Sequence, residues 1–257
     1  MILGFDIGNT HIIPIFYNEN GDILATFRIP THLEFTEDTL FVMLKEFSKN
    51  NNLEISDIKN IVISSVVSNI NENFTRLGKK YFNNNPMFVT LDNVENEIKI
   101  LPNMERGLGA DRIVDILAAK KLYPEKELLI IDFGTATTFD MIKDSTYMGG
   151  CILPGITLSI NALFSNTAAL PKIEFTNPET VLGINTISQI NAGIFYGNVG
   201  AIKELILQYK NSFPNAYVIA TGGQGQKISE YIEEIDEYVA KLGEMGIFEF
   251  YNLNKNR

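Results

Sequence analysis

The feature that most constrains this chain is a pattern that occurs twice. Near the start, an apolar run over residues 2–5 ends at Asp6, and Asp6-Ile7-Gly8-Asn9-Thr10 leads into a second apolar run over 12–17. In the second half, the run 128–131 ends at Asp132, and Asp132-Phe133-Gly134-Thr135-Ala136-Thr137-Thr138 opens the run 137–142. Each copy continues through a turn, Asn20-Gly21 in the first and Asp144-Ser145 in the second, into a third strand over 23–29 or 147–153. Helices and further strands follow in both copies. A strand-strand-strand-helix-strand-helix order that restarts midway implies two duplicated domains rather than a solenoid. The expected boundary is the helix end at Pro124, giving domains over 1–123 and 124–257.

The period of the apolar residues places the other elements. Leu40, Met43, Leu44 and Phe47 share one face of a helix over 36–50, with Glu37 and Asp38 in its first turn. The β-branched run 61–67 reads as a buried strand, 70–84 as a helix and 87–91 as a strand. A helix over 111–123 carries Val114, Leu117, Ala118 and Leu122 on one face. A strand over 217–220 and a helix over 228–242 close the pattern.

The two Asp-x-Gly turns are where chemistry is expected. Glycine lets the backbone turn tightly and approach a phosphate, and the freed N–H groups and threonine hydroxyls donate to its oxygens. An aspartate beside a phosphate needs a cation between them. One such motif alone is an ordinary hairpin turn. Two at equivalent points predict a pair of loops facing each other across a nucleotide cleft. Thr221-Gly222-Gly223, after the strand 217–220, adds a third glycine turn. The sequence contains neither G-x-x-x-x-G-K-[ST] nor a G-x-G-x-x-G after its first strand, nor the protein-kinase motif set. Asp111, at the expected start of the helix 111–123, has two readings, a catalytic carboxylate or a helix cap. Asp115, one turn on, reads as a solvated helix residue.

Asp6-x-Gly8-Asn9-Thr10, Gly109-Ala110-Asp111-Arg112, Asp132-x-Gly134-Thr135-Ala136-Thr137-Thr138, Gly149-Gly150-x-Ile152-x-Pro154-Gly155, Asn185-Thr186 and Thr221-Gly222-Gly223 together resemble the type III pantothenate kinases, in that family's order, over residues 1 to 225. The resemblance implies an α/β chain with the duplicated ribonuclease H-like, actin-like ATPase fold of acetate and sugar kinases. It implies ATP-dependent phosphorylation of pantothenate to 4'-phosphopantothenate, the first step of coenzyme A biosynthesis. It places ATP contacts at Asp6, Ile7, Gly8, Asn9, Thr10, His11, Ile12, Ile13 and Thr135. Substrate contacts fall at Gly109, Ala110, Asp111, Arg112 and Thr186, with Asp111 as proton acceptor. It further implies Mg²⁺, a monovalent cation (K⁺ or NH₄⁺) at Asp132, and a homodimer. The tyrosine that many members carry before the Gly-Ala-Asp-Arg motif is absent from Leu101-Pro102-Asn103-Met104-Glu105-Arg106. Two other readings stand beside the kinase for pantothenate: a regulator of the same fold, of the transcriptional accessory type, and another ATPase of the superfamily. Retention of Asp6, Asp111 and Asp132 favours the enzyme, and 257 residues leave little room for the insertions of chaperones or actin.

Composition narrows the surroundings. A formal charge of −10 opposes nucleic-acid backbones and makes anionic substrates dependent on local positive charge. The one cysteine, Cys151, excludes an internal disulfide framework. The first residues lack a signal-peptide pattern, and no apolar stretch approaches the roughly 20 residues of a membrane helix, so the expectation is a cytoplasmic protein that touches neither membrane nor nucleic acid. His11 and His32 lack metal-ligand spacing and read as structural or exposed.

Overall fold

The computed structural model describes residues 1–105, 107–167 and 170–256. The chain divides into two compact units, Met1–Leu122 with Leu242–Arg257, and Tyr123–Lys241.

In the first unit, β1 (Ile2–Ile7), β2 (His11–Tyr17), β3 (Ile23–Thr26) and β4 (Ile29–Pro30) form the meander. The break between β3 and β4 splits what the sequence reads as one strand over 23–29. The turn before β3 is held by the Asn18 side chain, whose Oδ1 accepts the N–H groups of Asn20 and Asp22 at 2.9 Å each. α1 (Glu37–Asn50) is capped by Thr36, whose hydroxyl accepts the Thr39 N–H at 3.3 Å. β5 (Asn60–Ser65), α2 (Asn71–Tyr81) and β6 (Met87–Phe88) follow, then the short β7 (Lys99–Ile100) and α3 (Ala110–Leu122). The sheet runs β3-β2-β1-β5-β6, with β1 antiparallel to β2 and parallel to β5. One sheet face carries Leu3, Phe5, Ile7, Ile61 and Ile63 against Leu40, Leu44, Phe74 and Leu77 of α1 and α2. Phe5 meets Phe74 edge to face at 4.9 Å, a pair worth about 0.5–1.5 kcal/mol beyond its buried area.

The second unit repeats this plan. β8 (Leu128–Phe133), β9 (Ala136–Lys143) and β10 (Thr146–Pro154) form the meander; α4 (Ile156–Ser165) and the long α5 (Thr186–Ser212) follow. β11 (Tyr217–Thr221), α6 (Gly225–Ser229) and β12 (Glu237–Tyr238) complete it. Its strands lie in the order β12-β11-β8-β9-β10, β8 being antiparallel to β9 and parallel to β11. This is the order of the first unit with equivalent strands exchanged one for one. The core gathers Leu129, Ile131, Phe139, Met141, Val218 and Ala220 of the sheet with Ile202 and Ile206 of α5.

The C-terminal part differs from the sequence reading. The run 228–242 is not one helix: α6 ends at Ser229, the next helix begins at Leu242, and between them the backbone pairs with β11 instead. The Asp236 N–H donates to Val218 O at 2.8 Å, the Val218 N–H to Asp236 Oδ2 at 2.7 Å, and the Val239 N–H to Ala220 O at 2.8 Å. The C-terminal helix is α7 (Leu242–Asn254), and it packs in the first unit rather than with the second half. Gly246 is why it fits: a Cβ there would run into the Val114 carbonyl of α3. α7 also covers Asp115, whose Oδ1 lies 3.3 Å from where a Cβ of Gly243 would stand. Asp115 is therefore buried, at 7% exposure, where the sequence reads a solvated residue. No helix among the described residues is long and apolar enough to cross a membrane.

Candidate active site

In the first unit, β1 delivers Asp6 and Ile7 to the Gly8–Thr10 turn. The Gly8 N–H donates to His11 O at 2.9 Å and closes the hairpin. Asn9, Thr10 and His11 are exposed, Asp6 and Ile13 half-buried. Ile7 and Ile12 point into the core at 1% and 0% exposure, so a ligand meets them only through their backbone. The loop also has a brace that the sequence does not announce. Thr31, just after β4, donates its N–H to Thr10 O at 3.0 Å and its hydroxyl to Gly8 O at 2.7 Å.

The Gly109–Arg112 segment belongs to the same unit and lies close to the end of β1. The Val66 N–H donates to Ile7 O at 3.0 Å, and Val66 Cγ1 lies 3.7 Å from the position a Gly109 Cβ would take. The first backbone bond of α3 runs from the Ile113 N–H to Gly109 O at 3.0 Å. Gly109 thus stands at the helix entrance, and Asp111, inside the first turn, is not the cap. Its Oδ1 accepts the Arg112 N–H at 2.8 Å, which fixes the carboxylate at the positive end of the helix. A Cβ at 109 would stand 2.5 Å from that oxygen, so a larger residue there would displace the Asp111 carboxylate. Asp111 and Arg112 are half-buried and Ala110 is buried.

In the second unit, three loops meet around Asp132. The Gly134 N–H donates to Ala136 O at 3.1 Å, the counterpart of the Gly8 bond. Asp132 is half-buried and pairs in register with Thr138 on one side and Thr221 on the other. Gly155 lies on the turn: its N–H donates to Thr135 O at 3.1 Å, and a Cβ would meet that oxygen and stand 2.5 Å from Gly134 O. Gly222 has φ +88°, and a Cβ there would strike Asp132 Oδ1 and stand 2.6 Å from the Phe133 backbone. The Tyr238 hydroxyl donates to Gly222 O at 3.0 Å and anchors the third loop. Thr135 is exposed at the tip.

Among the described residues no group of three or more His, Cys, Asp or Glu converges on a metal position. The donor set still fits Mg²⁺ of the phosphate-bound kind, which takes one or two carboxylates and fills its octahedron with water and phosphate oxygens.

Thr186 is the first residue of α5 and is exposed. Asn185 caps the helix reciprocally with Ser188: Asn185 Oδ1 accepts the Ser188 N–H at 2.9 Å and the Asn185 N–H donates to Ser188 Oγ at 3.1 Å. The preceding segment folds back on this turn and forms with it an open pocket of about 430 Å³, with Gly183, Asn185, Ser188 and Asn191 in its wall. Among the described residues no hydrogen bond links Thr186 with the loops around Asp132. Arg106, in the segment where the family's tyrosine is missing, lies outside the described residues.

Sequence reasoning missed Thr31, Tyr238 and the collision that forces glycine at 155. The only signal for the last was its place in the Gly-Gly-x-Ile-x-Pro-Gly run.

Similarity to known proteins identifies the family. The sequence profile of the type III pantothenate kinases matches residues 2–208. A relative from Fusobacterium nucleatum, named type III pantothenate kinase, is 46% identical over 262 residues, covering 99% of this chain and all of its own length. Another of that name, from Thermosipho africanus, is 40% identical over 98% of both chains. Among solved structures, one described as a 2-dehydro-3-deoxygalactonokinase from Sinorhizobium meliloti superposes with a TM-score of 0.59 at 10% identity, over 98% of each chain. That likeness shows the fold, the duplicated actin-like ATPase fold of sugar kinases. The chain belongs to the type III pantothenate kinase family.

Proposed function

We propose that this protein transfers the γ-phosphoryl group of ATP to the hydroxyl of pantothenate, giving 4'-phosphopantothenate and ADP at the start of coenzyme A biosynthesis. The observation that carries the substrate assignment is the whole-length likeness to relatives named for that activity. The geometry supplies groups suited to each part. The Gly8–Thr10 turn, through the Asn9 N–H, and the threonine hydroxyls of Thr10 and Thr135 are groups suited to phosphate oxygens. Gly222 and Gly223 give the third loop a bare backbone for the nucleotide. Asp111 accepts the proton of the attacking hydroxyl as the new P–O bond forms and the γ-phosphorus bond to ADP breaks. Its bond to the Arg112 N–H aligns it, and the Arg112 guanidinium offsets the pantothenate carboxylate in an acidic protein.

Asp6 in the first unit and Asp132 in the second are each a carboxylate of the kind that would hold Mg²⁺, which would neutralise phosphate charge. K⁺ or NH₄⁺ at Asp132 would serve the same end, and equal rates in potassium and sodium buffers would exclude it. The chain acts as a homodimer in the cytoplasm, with Thr186 contributing to pantothenate binding; light scattering showing an active monomer at assay concentration would refute the dimer. A coupled assay of ADP release tests the whole reading: turnover should require pantothenate, and turnover indifferent to it would reject the proposal. The names of the relatives favour this reading over the regulator.

A further inference from the structure

We infer that Thr31 is a positioning residue that holds the Gly8–Thr10 turn in its phosphate-receiving form; the inference rests on the reading of that turn as an ATP loop. A peptide carbonyl turned toward a phosphate repels it, so a phosphate loop must direct its carbonyls away and its N–H groups outward. Thr31 does this with two bonds from one residue. Its hydroxyl engages the carbonyl of Gly8 at 2.7 Å and its N–H that of Thr10 at 3.0 Å, the residues on either side of Asn9. The carbonyl of His11 is taken by the Gly8 N–H at 2.9 Å. The acceptors at 8, 10 and 11 are thus all committed. Asn9 is exposed, and among the described residues nothing accepts its N–H.

The sequence provides for this brace. β4 pairs with the start of β2, His11 opposite Pro30 and Ile12 opposite Ile29, which places the next residue beside the turn. The short β4 therefore has a role its two residues would not suggest. Thr31 touches neither reacting group and acts through the loop.

The test is steady-state kinetics on Thr31→Val, Thr31→Ala and Thr31→Ser, with Thr10→Val as the loop control and a thermal melt on each. Losing one hydroxyl bond should raise the KM for ATP about 3- to 10-fold in the Val and Ala variants, the span of a net hydrogen bond. The KM for pantothenate should stay within about twofold, and Thr31→Ser should restore wild-type behaviour. The use of two truncations lets either decide if the other folds poorly. An unchanged KM for ATP in the truncations, while Thr10→Val raises it, would overturn the inference. Equal rises in both KM values would also overturn it, since they indicate general loosening. If Thr10→Val too leaves the KM for ATP unchanged, the ATP-loop reading itself fails and this inference falls with it.

Discussion

Gly222 and Gly223 are adjacent in one motif, yet the structure predicts opposite outcomes for adding a methyl group to each. At Gly222 the backbone has φ +88°, and an alanine there pays a left-handed penalty of about 1–2 kcal/mol. Its Cβ would also strike Asp132 Oδ1 and stand 2.6 Å from the Phe133 N and C atoms. The loop cannot swing aside, because Gly222 O is held by the Tyr238 hydroxyl at 3.0 Å and by the Gly225 N–H at 3.0 Å. Overpacking of this kind adds about 1–3 kcal/mol. A total of roughly 3 kcal/mol lowers Tm by about 6–12 °C in a chain of this size. At Gly223 nothing lies within 4 Å of an added Cβ, and the residue is not among those at positive φ. Gly223→Ala should stay within about 0.5 kcal/mol of wild type. Melting curves on the two variants, followed by ATP titration, separate packing from ligand contact. Gly222→Ala should lose stability, and ATP affinity with it as Asp132 shifts. Gly223→Ala should keep its Tm and lose affinity only if the nucleotide passes over that residue. A Tm for Gly222→Ala within about 1 °C of wild type would refute the steric argument, since that is well under the shift expected even from the strain alone.

Two further outcomes follow from the structure. Asp111→Asn should lower kcat by about 10²- to 10⁴-fold with the melt and nucleotide affinity intact, because the residue sits inside the first turn rather than at the cap; wild-type kcat in the folded variant would end its assignment as base. On the acid side, the carboxyl of Asp38 is held below the usual range by hydrogen bonds from Lys80 and then Tyr81, which tie α1 to α2 at 2.5 Å each. The unfolded chain then binds this proton more readily, so the link contributes above about pH 4 and fades as pH falls through the lower folded value. Asp38→Asn should therefore lose part of the Tm difference between pH 6 and pH 3, and superimposable profiles would contradict it.

Much of the fold was legible because it rests on local signals. Periodicity located both meanders, α1, α2 and α3, and the repeated Asp-x-Gly ends revealed the duplication that the two sheets display. The failures share a cause: contacts distant in sequence overrode local preference. The run 228–242 has helical composition, but Asp236 and Val239 pair with β11. α7 carries Gly243 and Gly246, poor helix formers, and its course depends on Gly246 fitting against Val114. Asp115 reads as solvated until α7 covers it. In the candidate site, Asp111 and the glycine turns were visible as residue types at telling positions. Thr31 was not, because a lone threonine after a proline carries no mark of the loop it braces, and Gly155 gives no hint that its neighbour is the Thr135 carbonyl.

Mass spectrometry of the product formed from ATP and pantothenate, by wild type and by Asp111→Asn, decides whether this chain makes a phosphate ester of pantothenate with Asp111 taking the proton. Phosphopantothenate should accumulate in step with ADP for the wild type and only as a trace for the variant. ADP release without phosphopantothenate would reject pantothenate as the acceptor, and equal product from both proteins would reject Asp111 as the base.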